Sequence, residues 1–250
     1  MKEIKNVFYA DNNDPRQTLD IYLPEAEEFK VFVYFHGGGL CGGSKNGYGG
    51  KFAEYLTSQG ICVVSAEYRM YPEARYPEFI EDAASAVAWV KKNIGSYGKS
   101  QGIYVGGSSA GGYLSMMLCF DPRYLGAHGI LPTDIAGYVH DAGQPTAHFN
   151  VLKERGLDSR RVIVDETSPL YFVGLAEGYS PMMIIYSDND MVNRPEQTQV
   201  LLTTLRHFGY DQGKISVRLK NGKHCAYVGR LDENGESEFA KMIAPFILEN

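Results

Sequence analysis

Apolar runs and amphipathic segments alternate along this chain, and the alternation predicts strands followed by helices. Several apolar runs are almost continuous, as in strands of a parallel sheet that is covered on both faces. The predicted strands are residues 6–9, 18–23, 30–35, 61–66, 101–105, 135–139, 181–186 and 214–219. The predicted helices are residues 51–56, 79–92, 110–118, 196–208 and 238–248. The sequence therefore predicts an α/β fold with a mostly parallel central sheet and helices on both faces.

Two segments add detail to this alternation. The first two strands are joined by a turn-rich segment, residues 11–15, which predicts an N-terminal hairpin at an edge of the sheet. Residues 144–180, after the sixth strand, show no single period, and we expect a small cap-like insertion over the mouth of the site. The chain has 250 residues and shows no internal repeat or linker, so residues 1–250 are predicted to form a single domain.

Charge and composition narrow the classes of partner. The net charge is −6 and there is no basic run, so neither nucleic acid nor an anionic membrane surface is an expected partner. The N-terminal residues lack the apolar core of a signal peptide and no later stretch is long enough to span a membrane, so a cytoplasmic location is expected. The four cysteines show neither a C-x-x-C pair nor the spacing of a zinc site.

A glycine-rich turn at residues 105–112 is the first candidate for chemistry. Gly107, Ser109 and Gly111 match the pattern G-x-S-x-G between a predicted strand and a predicted helix. The tight turn needs small neighbours, and the helix that begins at Ala110 points free N–H groups toward whatever Ser109 attacks. We interpret Ser109 as a nucleophile. The alternative for this pattern alone is a turn that binds a phosphate or nothing.

A second glycine run, His36-Gly37-Gly38-Gly39, follows the predicted strand 30–35. A carbonyl that becomes a tetrahedral oxyanion needs donors already in place, and backbone N–H groups serve only where no side chain blocks the approach. This run, upstream of a G-x-S-x-G turn, is therefore interpreted as an oxyanion-hole loop. A flexible surface loop is the alternative, and we expect His36 to brace the loop rather than to act as a base.

The base that takes the serine proton is expected in a loop after a late strand, and its acid partner after the strand before it. His224 lies just after strand 214–219 and is the predicted base. His207 ends a predicted helix and fits poorly. Three further histidines precede the strand that should carry the acid, namely His128, His140 and His148. A solvent-facing loop residue is the alternative reading of His224.

Two aspartates follow strand 181–186 and qualify as the acid, Asp188 and Asp190. We favour Asp190, because a carboxylate a few residues beyond the strand end can reach across to the histidine loop. Asp188 is then expected to form the turn, its side chain bonding its own backbone. The sequence leaves both aspartates open.

These motifs together resemble the α/β-hydrolase superfamily, in particular the hormone-sensitive-lipase-like carboxylesterases and their short bacterial acetyl-esterase relatives. The resemblance includes YRMYPE at residues 68–73 and covers roughly residues 30–118, with weaker similarity through Asp190 and His224. It implies an α/β-hydrolase fold, in which residues 144–180 would be a small insertion after the sixth strand. It also implies hydrolysis of small carboxylic esters without a metal or an organic cofactor.

The resemblance further implies which groups hold the oxyanion, and it has two departures. By the family pattern, Gly38, Gly39 and Ala110 donate their N–H groups. The long N-terminal cap of larger members is missing, because the first sheet strand comes almost at once, and this suggests an open site for short acyl groups. Ser108 stands where many relatives carry Asp, a departure that the sequence leaves without an interpretation.

The sequence thus predicts a serine carboxylesterase that acts on a small-molecule, short-acyl ester through Ser109, His224 and Asp190. The alternatives are an aryl formamidase or an esterase of acetylated or feruloylated sugars with the same triad, and, less favoured, a non-catalytic binding protein on this fold. The predicted substrate-pocket residues, each of which fits core or surface equally well, are Leu40, Tyr48, Tyr171 and Phe172. The oligomeric state is left open, with a homodimer among the alternatives.

Overall fold

The strands form one sheet whose larger part is parallel. The computed structural model describes residues 1–47 and 49–250, and these contain eight strands in a single sheet. The strands are β1 (Lys2–Phe8), β2 (Thr18–Leu23), β3 (Glu28–Phe35), β4 (Ile61–Ala66), β5 (Lys99–Ser108), β6 (Gly137–Asp141), β7 (Met182–Asn189) and β8 (Ile215–Lys223). Their order is β1-β2-β4-β3-β5-β6-β7-β8. The β1–β2 hairpin is antiparallel and lies at one edge, as predicted; β2 is antiparallel to β4, and the remaining pairs are parallel.

Helices cover both faces of this sheet. They are α1 (Gly49–Ser58), α2 (Glu78–Asn93), α3 (Ala110–Phe120), α4 (Pro122–Gly126), α5 (Phe149–Glu154), α6 (Arg194–His207) and α7 (Glu238–Glu249). Side chains of β3 alternate between two hydrophobic clusters: Val31 and Val33 join residues of α2 and α3, whereas Phe32 and Tyr34 join residues of α1 and α7. The predicted α/β fold is confirmed. Within the described residues, no helix combines the length and apolarity needed to cross a bilayer.

Four of the strands extend further toward their carboxyl ends than the sequence predicts. β5 ends at Ser108 rather than at residue 105, β6 at Asp141 rather than 139, β7 at Asn189 rather than 186, and β8 at Lys223 rather than 219. The added residues have low strand propensity, but they pair with neighbouring strands; Gly107, for example, is in register with Phe35. Tertiary pairing therefore overrides local propensity at the edge where the candidate site lies.

The predicted insertion at residues 144–180 contains α5 and a short 3-10 helix, Pro169–Phe172. It packs on the rest of the chain: the Tyr113 hydroxyl donates to the Thr167 carbonyl at 2.8 Å, and the Asn150 side chain donates to the Gly39 carbonyl at 2.5 Å. The segment therefore borders the glycine run after β3. Its role as a cap remains a prediction.

Candidate active site

Three loops at one edge of the sheet bring Ser109, Asp190 and His224 together. Ser109 directly follows β5, Asp190 directly follows β7, and His224 directly follows β8. These strands are parallel, so their carboxyl ends meet at the same edge. Ser109 Oγ lies 2.8 Å from His224 Nε2, and His224 Nδ1 lies 2.6 Å from Asp190 Oδ1. Ser109 and His224 are 115 residues apart in sequence, and His224 and Asp190 are 34 residues apart, yet the three side chains form one hydrogen-bonded line.

Asp190 determines which nitrogen of His224 carries the proton. An ionised carboxylate only accepts hydrogen bonds, so Nδ1 of His224 donates to Asp190 and Nε2 is left to accept from the Ser109 hydroxyl. The side chain of Asp190 is buried, and its Oδ1 also accepts the Met191 N–H at 2.6 Å. Burial raises the pKa of Asp190, but the hydrogen bond and the charge of His224 outweigh burial and hold that pKa below its usual range. The geometry therefore keeps Asp190 ionised.

Asp188 has a different position from the one expected. Its Oδ1 accepts the N–H of Gly222, 34 residues away, at 2.8 Å, so the prediction that it bonds its own backbone is wrong. The reason is that β7 continues through Asp188, which therefore faces the end of β8 instead of a turn. Asp188 links the two strand ends, and the described hydrogen bond to Nδ1 of His224 comes from Asp190.

Ser109 is held in a strained backbone conformation. Its φ of 57° and ψ of −111° lie outside the regions that non-glycine residues prefer, at a cost of about 1–3 kcal/mol. Its N–H donates to the carbonyl of Asp141 at 2.8 Å, and α3 begins at the next residue. The turn presents Ser109 Oγ at the sheet edge, and the unpaired N–H groups of the first turn of α3 point into the same space.

The turn also depends on a close approach between α3 and β3. A Cβ atom at Gly111 would overlap the carbonyl oxygen of Phe35 and lie 2.9 Å from that of His36. We expect Gly111→Ala to lower the free energy of unfolding by about 3 kcal/mol, because two backbone segments would have to separate. Gly126→Ala is the control, since a Cβ there meets nothing within 4 Å.

Urea denaturation of the two variants beside the wild-type protein tests this prediction. The Gly126 variant should match the wild type or gain about 0.5 kcal/mol from its higher helix propensity. Equal stability of the two variants would show that the approach of α3 to β3 is less tight than described.

The glycine run after β3 lies against the nucleophile. A Cβ on Gly37 would be 3.3 Å from Cβ of Ser109. Gly38 has a φ of +124°, which favours glycine, and a side chain there would overlap a carbonyl of the same loop. Among the backbone hydrogen bonds of the described residues, none has the N–H of Gly38, Gly39 or Ala110 as its donor. These three N–H groups thus have no backbone acceptor among the described hydrogen bonds, and their binding of an oxyanion stays a prediction.

His36 lies beneath this loop. Its carbonyl accepts the Tyr68 hydroxyl at 2.8 Å, and its ring stacks on that of Tyr68 with centroids 4.5 Å apart. Its Nε2 lies 3.4 Å from Glu67 Oε2. The imidazole is buried, so these contacts suit the expected bracing role. Tyr68 belongs to the YRMYPE segment, which thereby supports the glycine run.

The other histidines lie elsewhere. His140 and His148 are buried, and burial lowers the pKa of each to about 3, which keeps both neutral. His128 Nε2 lies 3.4 Å from Ser85 Oγ on α2, and His207 ends α6. Among the described contacts, His224 is the histidine that meets Ser109.

The predicted pocket residues are divided among several places. Leu40 is buried in the glycine loop, next to Gly39. Tyr48 lies outside the described residues. Phe172 lies 5.2 Å from the guanidinium of Arg123, beyond the carboxyl end of α3, and Tyr171 is half exposed beside it. Because Ser109 precedes the other end of this 11-residue helix, about 16 Å away, Phe172 and Tyr171 are placed away from the nucleophile, and their role in a substrate pocket stays a prediction.

Two residues that the sequence did not single out lie next to the glycine loop instead. A Cβ at Gly39 would be 3.3 Å from the ring of Phe149 and 3.4 Å from the side-chain nitrogen of Asn150. Both residues belong to α5, in the segment without a clear period. No local pattern marks them, because their position follows from how α5 packs on the glycine loop.

Arg194 was also missed. Its side chain is buried; Nη1 donates to the carbonyl of Ala142 at 2.7 Å and Nη2 to Gln144 Oε1 at 3.1 Å. Burial lowers the pKa of Arg194, while the charge of Asp190 opposes that shift. The guanidinium in turn favours the ionised form of Asp190.

Within the described residues, no group of three or more His, Cys, Asp or Glu side chains is placed to hold a metal ion.

Fold and site together define the class of this protein. The order of the sheet, the strained serine between β5 and α3, and the glycine loop after β3 are those of an α/β hydrolase. The solved structures that are similar to the chain share this α/β-hydrolase fold, which the motifs at residues 30–118 predicted. The BD-FAE family model matches residues 19–127, which include the glycine loop and the nucleophile turn.

Relatives agree with this assignment. The chain is 29% identical over 227 residues to esterase LipC of Mycobacterium tuberculosis, covering 81% of this chain and 55% of LipC. It is 36% identical over 109 residues to esterase LipI of the same organism, covering 43% of this chain and 34% of LipI. The chain thus spans about half or less of the length of these relatives. A truncated carbohydrate esterase from gut microbiota has the same fold, with a TM-score of 0.80, 20% identity, and coverage of 100% of this chain and 96% of that one.

Proposed function

We propose that this protein is a serine carboxylesterase that hydrolyses small, short-acyl esters. The observation that carries the proposal is the line from Ser109 Oγ through both nitrogens of His224 to Asp190, at 2.8 and 2.6 Å. A serine hydroxyl is a weak nucleophile until a neighbouring imidazole takes its proton, and this geometry supplies that imidazole in the required tautomer.

In acylation, Ser109 Oγ attacks the acyl carbon while its proton moves to His224 Nε2. The carbonyl π-electron pair moves to oxygen, and the N–H groups of Gly38, Gly39 and Ala110 hold the oxyanion. When the tetrahedral intermediate collapses, the bond to the alcohol oxygen breaks, and His224 returns the proton to that oxygen. Asp190 stays ionised throughout and stabilises the imidazolium.

In deacylation, water takes the place of the alcohol. His224 Nε2 removes a proton from the water as its oxygen attacks the acyl-enzyme carbon. The second intermediate uses the same N–H groups. Its collapse releases the carboxylic acid and returns the proton to Ser109.

The preference for short acyl groups is supported by what surrounds the oxyanion loop. Leu40, which follows Gly39 in the chain, is buried, and the ring of Phe149 lies beside Gly39. We infer that an acyl chain whose carbonyl oxygen binds to Gly38 and Gly39 meets the ring of Phe149. We therefore infer that the space for the acyl group is short.

The proposal is tested by the rate of hydrolysis of p-nitrophenyl esters from acetate to decanoate. A kcat/KM that falls with chain length supports a short-acyl esterase. Activity on formamides or sugar acetates without activity on simple esters would favour the alternatives that keep the same triad. Absence of turnover on all of these, with Ser109 unreactive toward a fluorophosphonate, would contradict the proposal.

The role of Phe149 gives a prediction about specificity. Phe149→Ala is expected to raise the ratio of kcat/KM for decanoate over acetate by about tenfold, because removing the ring opens space next to Gly39. Tyr171→Ala is the matched control: it removes an aromatic ring from the same insertion that is placed away from Ser109, and the ratio should stay unchanged. If this ratio changed in the Tyr171 variant alone, the result would support the substrate pocket that the sequence predicted.

A further inference from the structure

Asp141 is buried directly beneath the nucleophile, at the end of β6. Both oxygens of its carboxylate are engaged: Oδ2 accepts the Ser108 hydroxyl at 2.5 Å, and Oδ1 accepts the Tyr227 hydroxyl. Its backbone carbonyl also accepts the N–H of Ser109 at 2.8 Å. One residue therefore contacts the nucleophile turn through both its side chain and its backbone.

The second partner of the carboxylate belongs to another loop. Tyr227 follows His224 by three residues and is buried, with 2% of its surface exposed. Its hydroxyl bond to Asp141 spans 86 residues of sequence. On the other side, Ser108 accepts the hydroxyl of Tyr34 on β3 at 3.1 Å while it donates to Asp141. The loop that carries His224 and the turn that carries Ser109 are thus tied to one carboxylate.

The charge of this carboxylate is held mainly by hydroxyl groups. Burial raises the pKa of Asp141 to about 6, and the hydrogen bonds from Ser108 and Tyr227 limit the rise. The positive charge of a protonated His224 also favours the ionised form, whereas the negative charge of Asp190 opposes it. The titratable or polar side chains that interact with Asp141 come from β5, the loop after β7 and the loop after β8, and they are Ser108, Asp190, His224, Cys225 and Tyr227. Tyr34 on β3 reaches this group through Ser108.

We propose that Asp141 is a positioning residue for the hydrolysis proposed above: its side chain joins the turn that carries Ser109 to the loop that carries His224 and so sets the separation of these two groups. This inference rests on the proposed function. Ser108, whose departure from the family pattern had no interpretation in the sequence, is one of the two hydroxyl donors of this link.

The position of the proton on Asp141 should therefore influence the rate. The ionised carboxylate accepts from both hydroxyl groups, whereas the neutral acid must donate from one oxygen, and one of the two hydroxyl groups must turn. A misplacement of about 1 Å between reacting groups costs about 10²-fold in rate. Loss of the link should appear mainly in kcat, because Ser108, Asp141 and Tyr227 are all buried and so are not exposed to bind the substrate.

The test compares Asp141→Asn and Tyr227→Phe with Tyr138→Phe. Tyr138 lies on the same strand as Asp141, and its hydroxyl donates to the Pro132 carbonyl at 2.9 Å, so this control also loses one hydrogen bond of a buried tyrosine. For p-nitrophenyl acetate we expect the first two variants to lower kcat by about 10- to 100-fold with KM within about twofold. The control should keep the wild-type kcat. The double variant of Asp141 and Tyr227 should be no slower than the slower single variant, since both break one link.

The pH dependence gives a readout that a merely structural role would not move. Asparagine resembles the protonated acid, so the kcat/KM of Asp141→Asn relative to the wild type should rise toward one as the pH falls through about 6. A ratio that stays flat from pH 5 to 8, or a kcat for both variants equal to that of Tyr138→Phe, would overturn the inference. If Asp141→Asn shows no cooperative melting, Tyr227→Phe and Ser108→Ala decide the question in the same assay.

These results separate the two proposals. A wild-type protein that neither hydrolyses esters nor reacts with a fluorophosphonate at Ser109 contradicts the proposed function and this inference with it. An active wild type with unaffected Asp141 and Tyr227 variants contradicts this inference alone.

Discussion

Replacing Ser109 by alanine is expected to reduce kcat for p-nitrophenyl acetate by about 10⁶-fold, with the fold unchanged. The hydroxyl supplies the bond to the acyl carbon, and its closest partner, His224 Nε2 at 2.8 Å, would have no proton to accept. Alanine removes one oxygen from a turn whose φ of 57° is held by Gly107, Gly111 and the Asp141 carbonyl, so the backbone should be retained. The remaining rate should come from the oxyanion loop and from substrate binding.

Ser115→Ala is the matched control for this prediction. Ser115 lies on α3 as well, and its buried hydroxyl donates to the Gly112 carbonyl at 2.9 Å and lies 2.9 Å from His140 Nδ1. It should lose stability by about 1 kcal/mol and keep its activity. The measurement is kcat by stopped-flow or steady-state assay, together with the mass of the protein after reaction with a fluorophosphonate. Retention of more than about one per cent of the rate in the Ser109 variant would exclude Ser109 as the nucleophile.

Asp190→Asn should have the second largest effect, lowering kcat by about 10⁴-fold. An amide at this position presents an N–H group to His224 or leaves Nδ1 with a weaker acceptor, and either arrangement disfavours the tautomer that accepts from Ser109. The imidazolium formed during the reaction would also lose the charge that lies 2.6 Å from Nδ1. The fall should appear in kcat more than in KM.

Asp188→Asn is the matched control, because Asp188 is the other candidate for the acid that the sequence left open. The amide oxygen can still accept the N–H of Gly222, so the end of β8 stays in place, and kcat should remain within about tenfold of the wild type. If the two variants exchanged their effects, Asp188 would be the acid and the geometry around His224 would have to change during turnover.

Asp190→Asn also gives a prediction about how the stability of the protein depends on pH. The pKa of Asp190 is held low in the folded protein, so its ionisation contributes stability above the ordinary pKa of an aspartate. That contribution is lost as the pH falls through the lowered value. Asp190→Asn should therefore flatten the acid side of a plot of unfolding free energy against pH. Urea denaturation at a series of pH values measures this.

Much of the fold was predictable because the signals are local. The apolar runs of β3, β4, β6 and the first part of β7 bury both faces, and this alone predicts a parallel sheet with helices on each side. The turn at Ser109 was predictable for the same reason. It brings backbone atoms so close together that only small residues fit beside them, and the sequence has Gly107 and Gly111 at these positions. The ends of β5, β6, β7 and β8 were placed too early, because pairing with neighbours extends these strands through residues of poor strand propensity.

In the candidate site, too, some features were predictable from the sequence and others were not. The order of residues along the chain predicted Ser109, His224 and the glycine loop, and the structure brings them together. The choice between Asp190 and Asp188 depends on where β7 ends relative to β8, which is a matter of register. Phe149 beside Gly39 and the displacement of Phe172 to the far end of α3 depend on how residues 144–180 pack.

The sequence by itself determined the class of fold, the strained turn at Ser109 and the loop that offers backbone N–H groups, since each follows from sterics within a few neighbouring residues. Only the tertiary structure decided which carboxylate meets His224, which residues border the glycine loop, and that Asp141 and Tyr227 connect the loops of Ser109 and His224. Those contacts join residues 34 to 115 positions apart. Their geometry depends on strand order, register and side-chain packing, which no local pattern records.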